Sequence, residues 1–116
     1  MARIGTFTQN AHGFSGRLHT LVIDVELCIL PIQPGRGDNP PDYRIHCGSD
    51  GCGLAVGVGW SYCTVDDEPF IRILIDDPSW VEPIRAALFA AKSDTERGKN
   101  IHYLEWNHAS RRRWGR

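Results

Sequence analysis

From Leu21 to Ile29 the apolar residues fall on every second position (Leu21, Ile23, Val25, Leu27, Ile29), with Asp24 and Glu26 between them. A two-residue period puts one face in a core and the other in water, which requires a half-buried β-strand and excludes an amphipathic helix. The same signal recurs along the chain. Ile4 to Thr8 reads as an opening strand, Tyr43 to Cys47 and Cys52 to Trp60 as two more, Phe70 to Ile75 as another, and Ile101 to Trp106 as the last.

Turn formers punctuate these runs. Gly13-Phe14-Ser15-Gly16 reads as a turn, Pro31 through Pro41 as a loop barred from the middle of a sheet, and Gly48-Ser49-Asp50-Gly51 as a hairpin connection. One helix is expected after Pro83, where Ile84, Ala87, Leu88 and Ala91 recur at helical spacing. Ser93 to Asn100 reads as a polar connection. Sequential short strands with a single helix define the expected fold class: mainly β, a small antiparallel barrel or sandwich of about six to seven strands with one short helix. A chain of 116 residues is the size of one domain, expected over residues 1–108, with 109–116 as a basic tail.

The strand Cys52 to Trp60 is unusual. Leu54, Val56, Val58 and Trp60 share one face, and Gly53, Ala55, Gly57 and Gly59 the other. A face that bare admits a close backbone, a ring or a ligand, and a neighbouring segment of the same chain is the simplest occupant.

Composition restricts the environment. No stretch approaches the ~20 apolar residues that span a bilayer, and Met1-Ala2-Arg3-Ile4-Gly5 has no signal-peptide apolar region, so a cytoplasmic protein with no membrane partner is expected. In a reducing compartment Cys28, Cys47, Cys52 and Cys63 are read as free thiols. Cys47 and Cys52 have the spacing of one half of a zinc loop, but only Cys63 or His46 remains to complete four ligands, so no metal and no cofactor is expected. The glycines near Gly57 lack a phosphate-loop lysine, Ser49 lacks the flanks of a nucleophile elbow, and Asp76-Asp77-Pro78-Ser79 is ordinary turn chemistry. No catalytic constellation is visible, and a non-enzymatic binding protein is the expectation.

Charge sets what it would bind. The formal net charge of −1 supplies no general attraction for nucleic acid. Asp66, Asp67, Glu68, Asp76 and Asp77 make the middle acidic, whereas Arg111, Arg112 and Arg113 make the tail basic. These eight residues are the expected partner contacts, directed at a host protein or nucleoprotein complex. The alternative is single-stranded DNA, with Tyr43, Trp60, Tyr62 and Trp106 stacking on bases and Arg44 on phosphate.

Ile4-Gly5-Thr6-Phe7-Thr8, Gly16, Thr20-Leu21, Pro40-Pro41-Asp42-Tyr43-Arg44, Gly57-Val58-Gly59-Trp60, Asp76-Asp77-Pro78-Ser79-Trp80, Pro83-Ile84 and Leu104-Glu105-Trp106 occur in that order. Together they resemble the bacterial domain-of-unknown-function 736 family over nearly the whole chain. The resemblance implies a shared fold and a setting on plasmids and integrative conjugative elements, near transfer and maintenance genes; the family has no assigned activity and carries over no catalytic residue. Members commonly have lysines just after the position of Trp60, where this chain has Ser61-Tyr62-Cys63-Thr64-Val65-Asp66-Asp67-Glu68. In that setting the protein target suggests inhibition of a host defence complex, of the anti-CRISPR or anti-restriction kind. The DNA alternative becomes an accessory of conjugation or plasmid maintenance.

Overall fold

The computed structural model describes residues 2–33, 35–48, 50–51 and 53–106. Eight strands run in chain order: β1 (Ala2–Asn10), β2 (Gly13–His19), β3 (Asp24–Pro31), β4 (Tyr43–Cys47), β5 (Ala55–Cys63), β6 (Pro69–Ile75), β7 (Ile84–Ala90) and β8 (Ile101–Trp106), with one short helix, α1 (Asp94–Arg97), before the last. Each strand pairs antiparallel with the next, and β8 pairs with β1, so the sheet closes into a barrel. Closure leaves no row of unpaired backbone groups in the wall, the main liability of a sheet this small.

The strand count is therefore eight, not six to seven, and the difference lies in two segments. Gly13 to Gly16 is the start of β2 rather than a turn; the reversal occurs at Ala11-His12, where Asn10 Oδ1 accepts the backbone N–H groups of His12 (2.8 Å) and Gly13 (3.1 Å). The segment after Pro83 is β7, not a helix. Ile84, Ala86, Leu88 and Ala90 alternate as well as Ile84, Ala87, Leu88 and Ala91 recur, and alanine-rich segments satisfy both periods. Tertiary demand decides the choice: β6 and β8 each present an edge that only a strand can satisfy, and Ala86 and Leu88 point inward from β7 between them. Pro83 sits just before the strand, where its missing N–H costs no ladder bond. The one helix lies instead in Ser93 to Asn100, with Asp94 and Glu96 in its first turn and Arg97 at its end. Boundaries also move. The strand expected from Leu21 begins at Asp24, leaving Leu21 in a turn, and the one expected over Cys52–Trp60 runs from Ala55 to Cys63.

The core is the barrel interior: Phe7, Phe14, Leu18, Leu27, Ile29, Ile45, Ile71, Ile73, Ile75, Ala86, Leu88 and Leu104. Following directly opposed residues, Ser61, Ile71, Leu88, Leu104, Gly5, Leu18 and Val25 form one inward row that climbs across seven strands from one end of the barrel toward the other. That stagger is the strand tilt a closed barrel of this size needs.

The bare face of β5 points into this core. A Cβ on Gly57 would lie 2.3 Å from Leu74 O, and one on Gly59 would meet Ile71 Cγ2 at 3.0 Å and Ile73 Cδ1 at 3.1 Å, so isoleucines of β6 fill the space the glycines leave. A register shift between Ile45 and His46 of β4 places an extra residue, Val56, in β5, and Val56 also packs against the core.

Candidate functional site

An up-and-down barrel has two ends, and its loops alternate between them. The described residues of 11–12, 32–42, 64–68 and 91–100 lie at one end, here called the mouth; those of 20–23, 48–54 and 76–83 lie at the other, here called the rim.

The acidic residues expected to form one surface are divided by this topology. Asp66, Asp67 and Glu68 follow β5 at the mouth, whereas Asp76 and Asp77 follow β6 at the rim, roughly 20 Å away along a strand of seven residues. At the mouth, Thr64 organises the hairpin: its Oγ1 accepts the N–H groups of Asp66 (3.3 Å) and Glu68 (3.1 Å), and Asp67 takes a φ of 61°. At the rim, Asp77 accepts the Ser79 backbone N–H at 2.9 Å and the Ser79 hydroxyl, and these bonds hold its carboxyl below the usual range. Its backbone carbonyl accepts Trp80 N–H (2.9 Å), and the turn lays the Trp80 ring against the core. Arg111, Arg112 and Arg113 lie outside the described residues.

The rim carries a second feature. Leu21 (104% exposed), Val22 (91%), Leu54 (67%) and Val81 (100%) stand in three different loops at this one end. Of the four, Val22 lines a recess of about 300 Å³ at this end, together with Ile23, Val25, Val56, Ile75, Asp77 and Trp80 among others. The same three loops hold Asp50, Asp76, Asp77 and Glu82 and contain no lysine or arginine. Aliphatic tips grouped in an acidic frame are a contact surface by composition, since exposed apolar residues that lack a partner occur singly far more often than together.

The mouth is a different environment. Gln9, Phe14, Tyr43, Ser61, Ile71, Leu88 and His102 are among the residues that line an opening of about 490 Å³, and no charged side chain lies among them. His102 Nδ1 is 3.3 Å from Asn100 O, and Phe14 meets the imidazole edge-on at 4.8 Å. Burial lowers the His102 pKa, only partly offset by that hydrogen bond, so the ring is neutral at pH 7.

The residues expected to stack on bases do not share a face. Tyr43 is in the mouth, Trp106 ends β8 at the rim side, and Arg44 is exposed on the outer wall. Trp60 donates from Nε1 to Asn39 O (3.1 Å), and Asp42 accepts Ser61 N–H (2.9 Å), so both fasten the proline loop to β5. Tyr62 begins an outer row that sequence reading missed: Tyr62, Phe70, Phe89 and Tyr103 are directly opposed on four consecutive strands. Tyr62 and Phe70 stack at 6.0 Å, and Phe70 and Phe89 at 5.1 Å. Arg72 lies over Tyr62 at 4.7 Å and Arg3 over Tyr103 at 3.5 Å. The ring faces a base would need are engaged within the row itself. Alternation in β6 gives Phe70 and Arg72 this outward face, but reading β7 as a helix hid Phe89.

Cys47 and Cys63 lie at opposite ends of the barrel, eight residues apart along β5 by register and so roughly 25 Å, which removes Cys63 as a ligand alongside Cys47. Cys52 lies outside the described residues, and among the described residues no group of three or more His, Cys, Asp or Glu is placed to hold a metal ion. Among the described residues no helix is long and apolar enough to cross a membrane.

Every motif that gives this chain its resemblance thus has a part in building the barrel, from Gly16 beneath Phe7 to Trp80 at the rim. The model of the family described as protein of unknown function (DUF736) matches residues 3–109. The chain belongs to DUF736. No curated protein and no solved structure matches it. Most residues of the DUF736 motifs fall on wall, loop anchors and core, while Leu21, Asp76 and Asp77 stand in the rim loops and Tyr43 lines the mouth.

Proposed function

We propose that this DUF736 protein is a non-enzymatic binding protein of a mobile genetic element that engages a host protein or nucleoprotein complex, of the anti-CRISPR or anti-restriction kind, through the rim. The observation that carries the reading is the grouping of Leu21, Val22, Leu54 and Val81 with Asp76, Asp77 and Glu82 at one barrel end. The matching partner surface presents apolar side chains flanked by lysine or arginine. Apolar burial supplies affinity, and the acidic frame supplies on-rate and orientation. Of the five acidic residues expected as partner contacts, Asp76 and Asp77 belong to this surface; Asp66, Asp67 and Glu68 belong to the other end. A single-stranded DNA accessory is the weaker reading, because Tyr43, Trp60, Tyr62 and Trp106 do not form one platform and the rim loops have no cation for phosphate.

The test is comparative capture from host lysate with three forms of the full chain: wild type, Leu21→Ser with Val22→Ser and Val81→Ser, and Asp66→Asn with Asp67→Asn and Glu68→Gln. A partner held by the wild type and the mouth-end variant but lost by the rim variant supports the proposal. A partner retained by the rim variant, or salt-sensitive oligonucleotide binding in its place, overturns it.

A further inference from the structure

We propose that the mouth of the barrel binds an uncharged, flat aromatic molecule that carries a hydrogen-bond donor. This site lies at the opposite end from the rim and does not depend on the rim's function.

An antiparallel barrel of eight strands is wide enough to be filled by side chains or to hold one small ligand, and this one does each at a different depth. Below Phe14, Ile71 and Leu88 the interior is packed by Phe7, Ile29, Ile45 and Leu104, so a ligand cannot pass through. Above them the inward positions become small or polar: Gln9 on β1, Ser61 on β5, Ala90 on β7. The change leaves an opening of about 490 Å³, within the usual span of sites for small molecules.

The lining fixes the chemistry of the occupant. Phe14 is inclined at 62° to Tyr43 and 73° to His102, so three rings form a steep-sided corner suited to a flat molecule. Among the described residues no Lys, Arg, Asp or Glu lines the opening, so an ionic ligand would lose hydration without a counter-charge. Asp66 and Asp67 in the adjacent hairpin further disfavour an anion. His102 sets the polar requirement. Its Nδ1 faces the Asn100 carbonyl, which can only accept, so the proton is on Nδ1 and Nε2 is left as an acceptor. A ligand that donates a hydrogen bond satisfies that atom, with Ser61 and Gln9 able to serve either polarity.

The probe is 2-naphthol, neutral at pH 7, flat and bearing one hydroxyl, titrated into the 15N-labelled full chain. The expected result is saturable amide shifts centred on Gln9, Ser61 and His102, with naphthalene-2-sulfonate binding about tenfold or more weakly. Ser61→Trp, at an exposed inward position, fills the opening and abolishes the shifts while the rest of the spectrum is retained. His102→Phe keeps the ring but removes the acceptor, and weakens 2-naphthol about five- to tenfold without weakening 2-methoxynaphthalene. Shifts centred on Val22, Val56 and Trp80 instead, absence of saturation, or equal affinity for the sulfonate would overturn the proposal. So would 2-naphthol binding that Ser61→Trp leaves intact.

Discussion

Gly16 of β2 lies against the backbone of β1 with no room for a side chain, and it offers a graded test of how tightly the barrel is closed. A Cβ added there would stand 2.1 Å from Thr6 O and 2.6 Å from Phe7 Cα, both backbone atoms of β1, and 2.9 Å from the root of the Phe7 ring that covers it. Backbone in a closed sheet has nowhere to go, so Gly16→Ala costs about 3 kcal/mol, the upper part of the range for overpacking. At about 2.1 cal/mol/K per residue, a chain of 116 residues has an unfolding entropy near 0.24 kcal/mol/K, and the loss appears as a Tm lowered by about 12 °C. Gly59→Ala meets only side-chain carbons, Ile71 Cγ2 at 3.0 Å, Ile73 Cδ1 at 3.1 Å and Tyr43 Cβ at 3.4 Å, which need give by only a few tenths of an ångström. Its strain is largely offset by the about 0.5–1 kcal/mol that alanine recovers in backbone entropy, leaving it within about 1 kcal/mol of wild type. Gly35→Ala meets nothing within 4 Å and is neutral or slightly stabilising. Thermal and urea unfolding followed by circular dichroism measure all three. A Gly16→Ala midpoint no lower than that of Gly59→Ala would refute the close approach of β1 and β2.

Trp80→Ala removes a half-buried ring from the rim-side core and lowers stability by about 2 kcal/mol, measured by urea denaturation. Leu21→Ser, Val22→Ser and Val81→Ser, whose side chains touch solvent, each stay within about 0.5 kcal/mol of wild type in the same assay; larger losses would mean these tips pack on the barrel. The His102 pKa is lowered from 6.5 by burial, so the neutral ring's contribution to stability is present above pH 6.5 and declines as pH falls through the lowered folded value. An NMR titration that finds it at or above 6.5 contradicts the placement in the mouth. Asp77 titrates below 3.8 because Ser79 donates to it, and Ser79→Ala removes the hydroxyl bond and raises that pKa, as carboxyl 13C shifts report.

The strands that were legible in the sequence are those with one demand on them. Tyr43–Cys47 and Ile101–Trp106 appear with the boundaries their composition suggests, flanked on one side by a proline loop or a polar connection. The segment Ile84–Ala90 was not legible, because its alanines fit a helix and a strand equally and only the unpaired edges of β6 and β8, remote in sequence, select the strand. Leu21 shows the opposite failure. It continues the alternation of β3 perfectly well, yet Thr20 Oγ1 accepts Ile23 N–H at 3.1 Å and Thr20 N–H reaches Ile23 O at 2.8 Å, which turns the chain there and throws Leu21 outward. Site residues fared by the same logic. Acidity in residues 66–77 is a local property and was visible, but its division between two ends follows from one strand, β6, lying between the two groups. The outer row of Tyr62, Phe70, Phe89 and Tyr103 required the register of four strands, which no single sequence provides.

That division gives the barrel two unlike ends on one rigid frame. A residue moved from the mouth to the rim must cross a wall whose inward side is close-packed aliphatic and whose outward rings are already stacked, so neither end can influence the other by a simple shift of side chains. Coupling between them, if a ligand at the mouth altered partner binding at the rim, would need a change in strand register or tilt. The closed hydrogen-bonded ladder opposes both, because slipping any one pair by a residue would turn a whole strand's core face outward. The two proposed binding functions should therefore be thermodynamically independent. Saturating 2-naphthol leaves partner capture through Leu21, Val22 and Val81 unchanged, and Ser61→Trp does the same; a change of more than about threefold in either case would show that the barrel is not the stiff spacer its pairing implies.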